Sequence, residues 1–560
     1  MKRPARISVI LLTCLLWVSP GLAATRQAAV ASPDRYGLEA SLEILRAGGN
    51  AVDAAVATSF ALAVTYPIAG NIGGGGFMVA HVDGESAFLD FREKAPLAAH
   101  RDMYLDENGE FVQRRSVVGA LAVGVPGTVK GMQVAHERFG KLPWSRVVQP
   151  AIRLAQEGFL VSPKLAGARD EAIEFFAGEV NFAEQFSGMN AGARFRQPEL
   201  AATLLRIARD PDDFYRGETA ALIVAQMEKS GGLITAKDMA DYTAVWREPL
   251  IAPWRGHLLV STPPPSSGGI ALAQLLTIRD AASPLFHDVE HNSATYIHLL
   301  AEIEKRVFAD RGNYLGDPDF GDVPVAELTD PEYLRRRARE LNPEGMSPGA
   351  AVKPGLESPE TTHFSIMDGD GNAVSLTYTL NWEFGSGVVA EGTGVVLNDQ
   401  MDDFSAKPGV PNKFGVIGGD MNAIEGGKRM LSSMSPTILL RDGKPVIVVG
   451  TPGGSTIFTS VFQVILNLLD YGMSADAAVA ATRFHHQLPA DKLIRFDGDR
   501  TIDAELRRRL EQFGYTVEPN FWGTLGDVML IVRTPDGRVE AAADPRRWGR
   551  DAVIELPAAN

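Results

Sequence analysis

A chain of 560 residues with 45% hydrophobic and 22% charged side chains carries enough apolar material for a large globular core, of a length that corresponds to roughly three or four domains. A formal charge of −15 excludes a surface that attracts nucleic acid or anionic membrane at long range. The single cysteine, Cys14, lies in an N-terminal leader, so the mature chain has no disulfide, thiol nucleophile or cysteine metal site.

That leader reads as a secretory signal peptide over residues 1–24. Lys2, Arg3 and Arg6 form a positive start, and residues 7–18 are apolar. Residues 20–24 then offer small side chains for cleavage. The apolar run is shorter than the roughly 20 residues a bilayer span needs, which argues against a short membrane anchor. Thr13 before Cys14 argues against a lipoprotein anchor. The expectation is export without a membrane anchor, into the periplasm if the source is Gram-negative. Loss of Lys2, Arg3 and Arg6 takes the charge from −15 to −18. A site for an anionic substrate therefore needs local positive groups.

Helical patterns occupy residues 38–47, stopped by Gly48-Gly49, and 51–64, apolar on most faces and hence buried. Residues 70–77 hold a glycine run. No Gly-Lys-Ser/Thr follows it, so close backbone packing is favoured over nucleotide binding. Strands follow at 77–82 and 87–91, turning at Asp83-Gly84. From 118 to about 341 the pattern is mainly helical, at 127–139, 143–157, 199–209, 219–229, 269–278 and 293–310. Short strands near 250–251 and 257–261 interrupt it. Residues 263–269 read as a rigid loop, not a linker.

From residue 361 strands dominate. A hairpin joins 362–367 to 373–381 across Asp368-Gly369-Asp370-Gly371-Asn372. Further strands fall at 394–398, 437–440 and 445–450, the last two joined by Asp442-Gly443. Helices follow at 455–469 and 474–482, then mixed structure. This is a layered α/β pattern. Three lookalikes are set aside. The 368–372 turn lacks the Gly and Glu of a calcium loop. His485-His486 are adjacent, not at helical i, i+4 spacing. Asp402-Asp403 has no converging ligands in sequence.

Composition gives Thr361, at the head of a strand, no role beyond β-forming. The company it keeps is more informative. Thr361-Thr362-His363, Tyr378-Thr379-Leu380-Asn381, Leu397-Asn398-Asp399-Gln400-Met401-Asp402-Asp403-Phe404, Leu431-Ser432-Ser433-Met434-Ser435-Pro436-Thr437 and Thr451-Pro452-Gly453-Gly454-Ser455 occur in one order. Asp90-Phe91-Arg92-Glu93 and Pro263-Pro264-Pro265-Ser266-Ser267-Gly268-Gly269 extend the series upstream. Over nearly the whole mature chain this resembles the γ-glutamyltranspeptidase (glutathione hydrolase) family of the N-terminal nucleophile (Ntn) hydrolases. The resemblance implies an α/β fold of four layers, αββα, built from both halves of a self-cleaved precursor. Residues 25–360 would be the large subunit and 361–560 the small catalytic one, and no cofactor or metal is expected.

Cleavage of Glu360-Thr361 would give Thr361 a free α-amine with a pKa of about 7.7–8.0, a base beside its own hydroxyl. The resemblance implies that this cut is self-catalysed and that Thr379 hydrogen-bonds the nucleophile. Gly453-Gly454-Ser455 opens a helix, a geometry that holds phosphate or an oxyanion. Without a Walker lysine the oxyanion is favoured, with Gly453 and Gly454 as donors, as in the family. By resemblance Arg92, Ser432 and Ser433 take the substrate's α-carboxylate, and Asn381, Gln400 and Asp403 its α-ammonium. One Arg and one Asp complement a zwitterion in any case.

The resulting expectation is a periplasmic γ-glutamyltranspeptidase. Its donors would be glutathione and other γ-glutamyl compounds, and its acceptors water, amino acids or dipeptides. Two alternatives compete: an Ntn acylase of the same fold for glutaryl-type cephalosporin side chains, and an exported binding protein for acidic amino acids. Residues 408–422 match the family's lid loop, with Phe414 where Tyr is frequent, which leaves the lid without a hydroxyl to hydrogen-bond across it.

Overall fold

A computed structural model of the protein describes residues 26–348, 361–407, 419–488, 490–498, 501–520 and 523–557. The leader, Glu360 and Phe414 lie outside the described residues. Among those described, no helix is long and apolar enough to cross a membrane.

The strands are β1 (Arg26–Ser32), β2 (Gly75–Val82), β3 (Glu85–Phe91), β4 (Val245–Arg247), β5 (Leu250–Trp254), β6 (His257–Ser261), β7 (Thr362–Met367), β8 (Ala373–Thr379), β9 (Thr437–Arg441), β10 (Lys444–Gly450), β11 (Met529–Arg533), β12 (Val539–Ala543) and β13 (Arg550–Leu556). They form two antiparallel sheets. One has the order β13-β1-β7-β8-β2-β3-β4, the other β12-β11-β10-β9-β6-β5. Their inner faces share a core that includes Phe77, Val79, Phe88, Ile438, Val448 and Ile531. Helices α1 (Arg35–Arg46), α2 (Ala51–Thr65), α3 (Thr128–Phe139) and α4 (Trp144–Glu157) pack on the outer face of the first sheet. Helices α5 (Gly268–Ala281), α6 (Ala294–Tyr314) and α7 (Thr456–Leu469) cover the second. The expected αββα layering is present.

Both sheets mix strands from either side of residue 361. In the first, β8 pairs with β2, Val374 opposite Ala80, and β7 pairs with β1, Val30 opposite Ile366. In the second, β9 pairs with β6, Ile438 opposite Val260. Neither sheet survives division of the chain at 361 unless the two parts stay together.

Local signals explain most elements. Every residue of α2 is buried, which is why its apolar pattern runs all round. Asn50 and Asp53 close a capping box at its start, a device that contributes about 1 kcal/mol. The glycine run is a packing device. A Cβ on Gly73 would lie 2.1 Å from Val396 O, and one on Gly74 2.0 Å from Thr379 O. The expected strand at 394–398 shrinks to Val395–Val396. Asn398 leaves it to donate to Gly73 O and Gly124 O, both at 2.8 Å. The elements not anticipated include β1, β4, a helix over Pro163–Phe176 capped by Ser162, and one over Pro331–Arg339 capped by Asp330.

A neutral polar chain crosses the sheet interface beside residue 361. Ser365 Oγ donates to Met529 O at 3.0 Å, so it accepts from His363 Nε2, also at 3.0 Å. Thr377 then donates to His363 Nδ1 at 2.8 Å. Burial holds His363 neutral and pushes its pKa down to about 3. The folded value lies below the unfolded 6.5, so this contribution to stability is complete above about pH 6.5 and is lost as pH falls toward 3. Whatever His363→Gln costs at pH 7, that cost is expected to shrink by about 2 kcal/mol by pH 5, read from urea midpoints of both proteins. A pH-independent cost would show that His363 is not held neutral.

Candidate active site

Thr361 stands immediately ahead of β7 and is 6% exposed. Tyr378 of β8 lies opposite Thr362, so one further step along the hairpin brings Thr379 beside Thr361. Thr379 Oγ1 accepts the Asn381 N–H at 2.8 Å, where the chain turns out of β8 with Asn381 at φ +83°. Asn381 Nδ2 donates to Asp399 O at 3.1 Å, and Asp399 Oδ1 accepts the Trp382 N–H at 2.8 Å. A 3₁₀ turn, Gln400–Asp403, follows. Gln400 Nε2 there donates to Asp403 Oδ2 at 2.6 Å.

Arg92 emerges from the end of β3 and is 1% exposed. Its guanidinium donates to Leu431 O at 3.1 Å and to Asp403 Oδ2, with Glu93 Oε2 at 3.7 Å. Thus the groups assigned to opposite ends of the substrate pair with each other. A buried charge left alone is costly, and a zwitterion can replace this pair with no net change of charge. Among the described residues three buried polar atoms here have no hydrogen-bond partner: Asp403 Oδ1, Gln400 Oε1 and Ser433 Oγ. Orphaned atoms of this kind are rare in folded proteins and call for an explanation. Two acceptors and one hydroxyl suit an ammonium and a carboxylate.

The serine pair is held from below by the 263–269 loop, which is buried structure as expected. Ser432 N donates to Pro265 O at 2.9 Å, and Ser432 O accepts Ser267 N at 2.7 Å and Ser267 Oγ at 2.8 Å. Arg311 Nε donates to Ser267 Oγ at 2.9 Å. From the stretch that follows residue 418, Asn422 Nδ2 donates to Asp403 O at 2.7 Å. Its Oδ1 accepts Leu431 N at 2.9 Å. Both arms of the head-group site are thereby tied together.

Arg92, Thr361, Thr379, Asn381, Gln400, Asp403, Ser432 and Ser433 line one small, partly open cavity, walled also by Met434 and Ile457. Gly453 and Gly454 are not on its lining. They stand at φ +132° and +55° just ahead of α7, whose first turn carries Ile457. Their carbonyls accept Thr456 N at 3.0 Å and Ile457 N at 3.1 Å. Among the described residues their own N–H groups donate to nothing.

Sequence reasoning missed Met434 and Ile457, which carry no chemical signal. It also gave no role to Glu93, although this residue adjoins Arg92. Glu93 is fully buried, and among the described residues neither of its oxygens accepts a hydrogen bond. Burial, against the pull of Arg92, pushes its carboxyl up to about 7. Burial also lowers Arg311, offset by Asp403. Among the described residues no group of three His, Cys, Asp or Glu is placed to hold a metal.

A buried threonine hydroxyl at a strand head, a pocket with paired opposite charges and N–H groups at a helix start can together support acyl transfer from a zwitterionic donor. Comparison with known proteins agrees. The family model for gamma-glutamyltranspeptidase matches residues 38–554. The chain is 58% identical to the glutathione hydrolase proenzyme of Pseudomonas aeruginosa, over 94% of both chains. A solved gamma-glutamyltranspeptidase from Pseudomonas nitroreducens, complexed with L-DON, is 58% identical with a TM-score of 0.57. It covers 58% of this chain and 97% of its own. A cephalosporin acylase structure from Bacillus halodurans is 28% identical with a TM-score of 0.83, covering 97% of this chain and 99% of its own. The chain belongs to the γ-glutamyltranspeptidase family.

Proposed function

We propose that the protein is a γ-glutamyltranspeptidase and glutathione hydrolase whose nucleophile is Thr361. The observation that carries this reading is the Arg92–Asp403 pair in one cavity with Thr361, its leftover acceptors unpartnered. After the Glu360-Thr361 bond is cut, the new α-amine takes the proton of the Thr361 hydroxyl as Oγ attacks the γ-carbonyl carbon. The oxyanion that forms is held by the Gly453 and Gly454 N–H groups. The proton passes to the departing amine, which for glutathione is cysteinylglycine, and a γ-glutamyl ester remains on Thr361. Water or the amine of an amino acid or dipeptide then displaces it. Arg92, Ser432 and Ser433 hold the α-carboxylate, and Asn381, Gln400 and Asp403 the α-ammonium. Thr379 supports the nucleophile.

A precursor cut at 361 also accounts for the Pseudomonas nitroreducens chain, matched almost whole by little more than half of this one. The mixed sheets give residues 25–360 and 361–560 reason to remain a tight heterodimer. The leader over 1–24 supports delivery to the periplasm. The acylase alternative turns on Asp403, because a glutaryl group has no amine to pair with it.

Purified protein is expected as two associated chains, the smaller beginning at Thr361. Thr361→Ala should stay a single inactive chain. A small chain whose N-terminus is any other residue contradicts the assignment of the nucleophile.

Asp403→Asn keeps shape but removes the counter-ion of the substrate ammonium, at a cost on the order of 2–5 kcal/mol. kcat/KM for a γ-glutamyl anilide should fall roughly 30-fold to several thousand-fold in the cleaved enzyme. A matched glutaryl anilide should not suffer, since it has no ammonium and Arg92 is freed for its carboxylate. Equal losses on both donors would favour the acylase.

A further inference from the structure

The His485-His486 pair, set aside as a metal site, has another use. His485 Nε2 donates to Gln487 Oε1 at 2.8 Å, and Ser455 Oγ donates to the same oxygen at 2.6 Å. His485 Nδ1 lies 3.0 Å from the Thr459 hydroxyl, which it shares with Thr456 O, 3.1 Å from the same oxygen. The ring packs edge-on to Phe308, with centroids 5.6 Å apart. Ser455, Thr459, His485 and Gln487 are all buried.

Ser455 is the N-cap of α7 but does not cap it. In helices of eight residues or more, the N-cap side chains of Asp34, Asn50, Ser162, Ser293, Asp330 and Asp503 all accept from their helix. Each of those residues is extended, with ψ between 126° and 167° or at −175°. Ser455 is helical, with ψ −24°. The other serine of this kind, Ser267 at ψ −19°, also spends its hydroxyl elsewhere, on the Ser432 carbonyl of the active site. An N-cap serine free to cap adopts extended dihedrals. At Ser455 that rotation would swing the Gly453–Gly454 turn away from the start of α7.

We propose that Gln487, oriented by His485, is a positioning residue for acyl transfer. It takes the Ser455 hydroxyl, keeps Ser455 helical, and so holds the Gly453–Gly454 N–H groups where the oxyanion forms. This rests on the reading of Gly453 and Gly454 as oxyanion donors.

The test is kcat and KM per cleaved active site on a γ-glutamyl anilide. Gln487→Ala should lower kcat roughly 10- to 100-fold, less than or comparable to loss of an oxyanion donor, with KM within about twofold. Gln487→Glu keeps the acceptor oxygen and should recover most of the loss. Ser455→Ala removes the other end of the same hydrogen bond, so adding it to Gln487→Ala should leave the double variant no slower than Gln487→Ala. Wild-type kcat in Gln487→Ala, an effect confined to KM, or losses that multiply in the double variant would each overturn the proposal. If Gln487→Ala does not fold, Gln487→Glu and Ser455→Ala carry the test. The former should be near wild type and the latter slowed in kcat alone, and the reverse overturns the proposal. Gly453→Ala is the control for the underlying reading, because its Cβ would lie 2.5 Å from Thr456 Oγ1 at a φ that disfavours any side chain. Full activity in Gly453→Ala removes the oxyanion reading and this proposal with it. A slow Gly453→Ala beside a normal Gln487→Ala removes only the role of Gln487.

Discussion

The active site depends on one buried ion pair, Arg92 with Asp403, which two distant parts of the chain bring together. Arg92 is fixed by the end of β3 and by carbonyls of the 430–431 segment. Asp403 is fixed by Gln400 and, through its backbone, by Asn422. Each charge satisfies the other, so the cavity need not hold an exposed arginine at the bottom of an acidic molecule. An α-amino acid head carries the same two charges and can divide the pair without leaving either charge alone. A ligand with only one of them leaves one protein charge uncompensated, and on the proposed reading this is the physical basis of selectivity.

The rest of the architecture keeps that pair beside Thr361. The proposed nucleophile must be a chain end to have a basic amine, yet a chain end is normally the loosest part of a fold. The solution is to place it at the head of an interior strand. β7 is flanked by β1 and β8 and buried along its whole length, with the neutral His363 network behind it. Cutting a chain there sacrifices little, because the strands of each sheet are already shared between the two parts.

Much of this was legible in the sequence, for identifiable reasons. The 362–381 hairpin has β-branched strands and an Asp/Gly/Asn turn, and the structure closes it as expected, with Asp368 N donating to Asn372 O at 2.9 Å. The eight head-group and nucleophile residues carried over from the family resemblance do share a cavity. What escaped was non-local or chemically silent. β1 is Ala-rich and buried between two neighbours, so it shows neither alternation nor strong strand formers. The helix Pro163–Phe176 mixes charges around its circumference and lacks a clean apolar stripe. Met434 and Ile457 are apolar walls indistinguishable in sequence from core. The pairing of Arg92 with Asp403 joins residues 311 positions apart and follows from topology alone.

The central claim is that Thr361 carries the acyl group. The most direct measurement is to mix cleaved enzyme briefly with a γ-glutamyl donor, quench in acid, and determine the mass of the peptide that begins at Thr361. The account predicts that this peptide gains the mass of one γ-glutamyl residue, and that the adduct disappears on adding a dipeptide acceptor before the quench. An adduct on a different peptide, or turnover with no adduct on any, would contradict it.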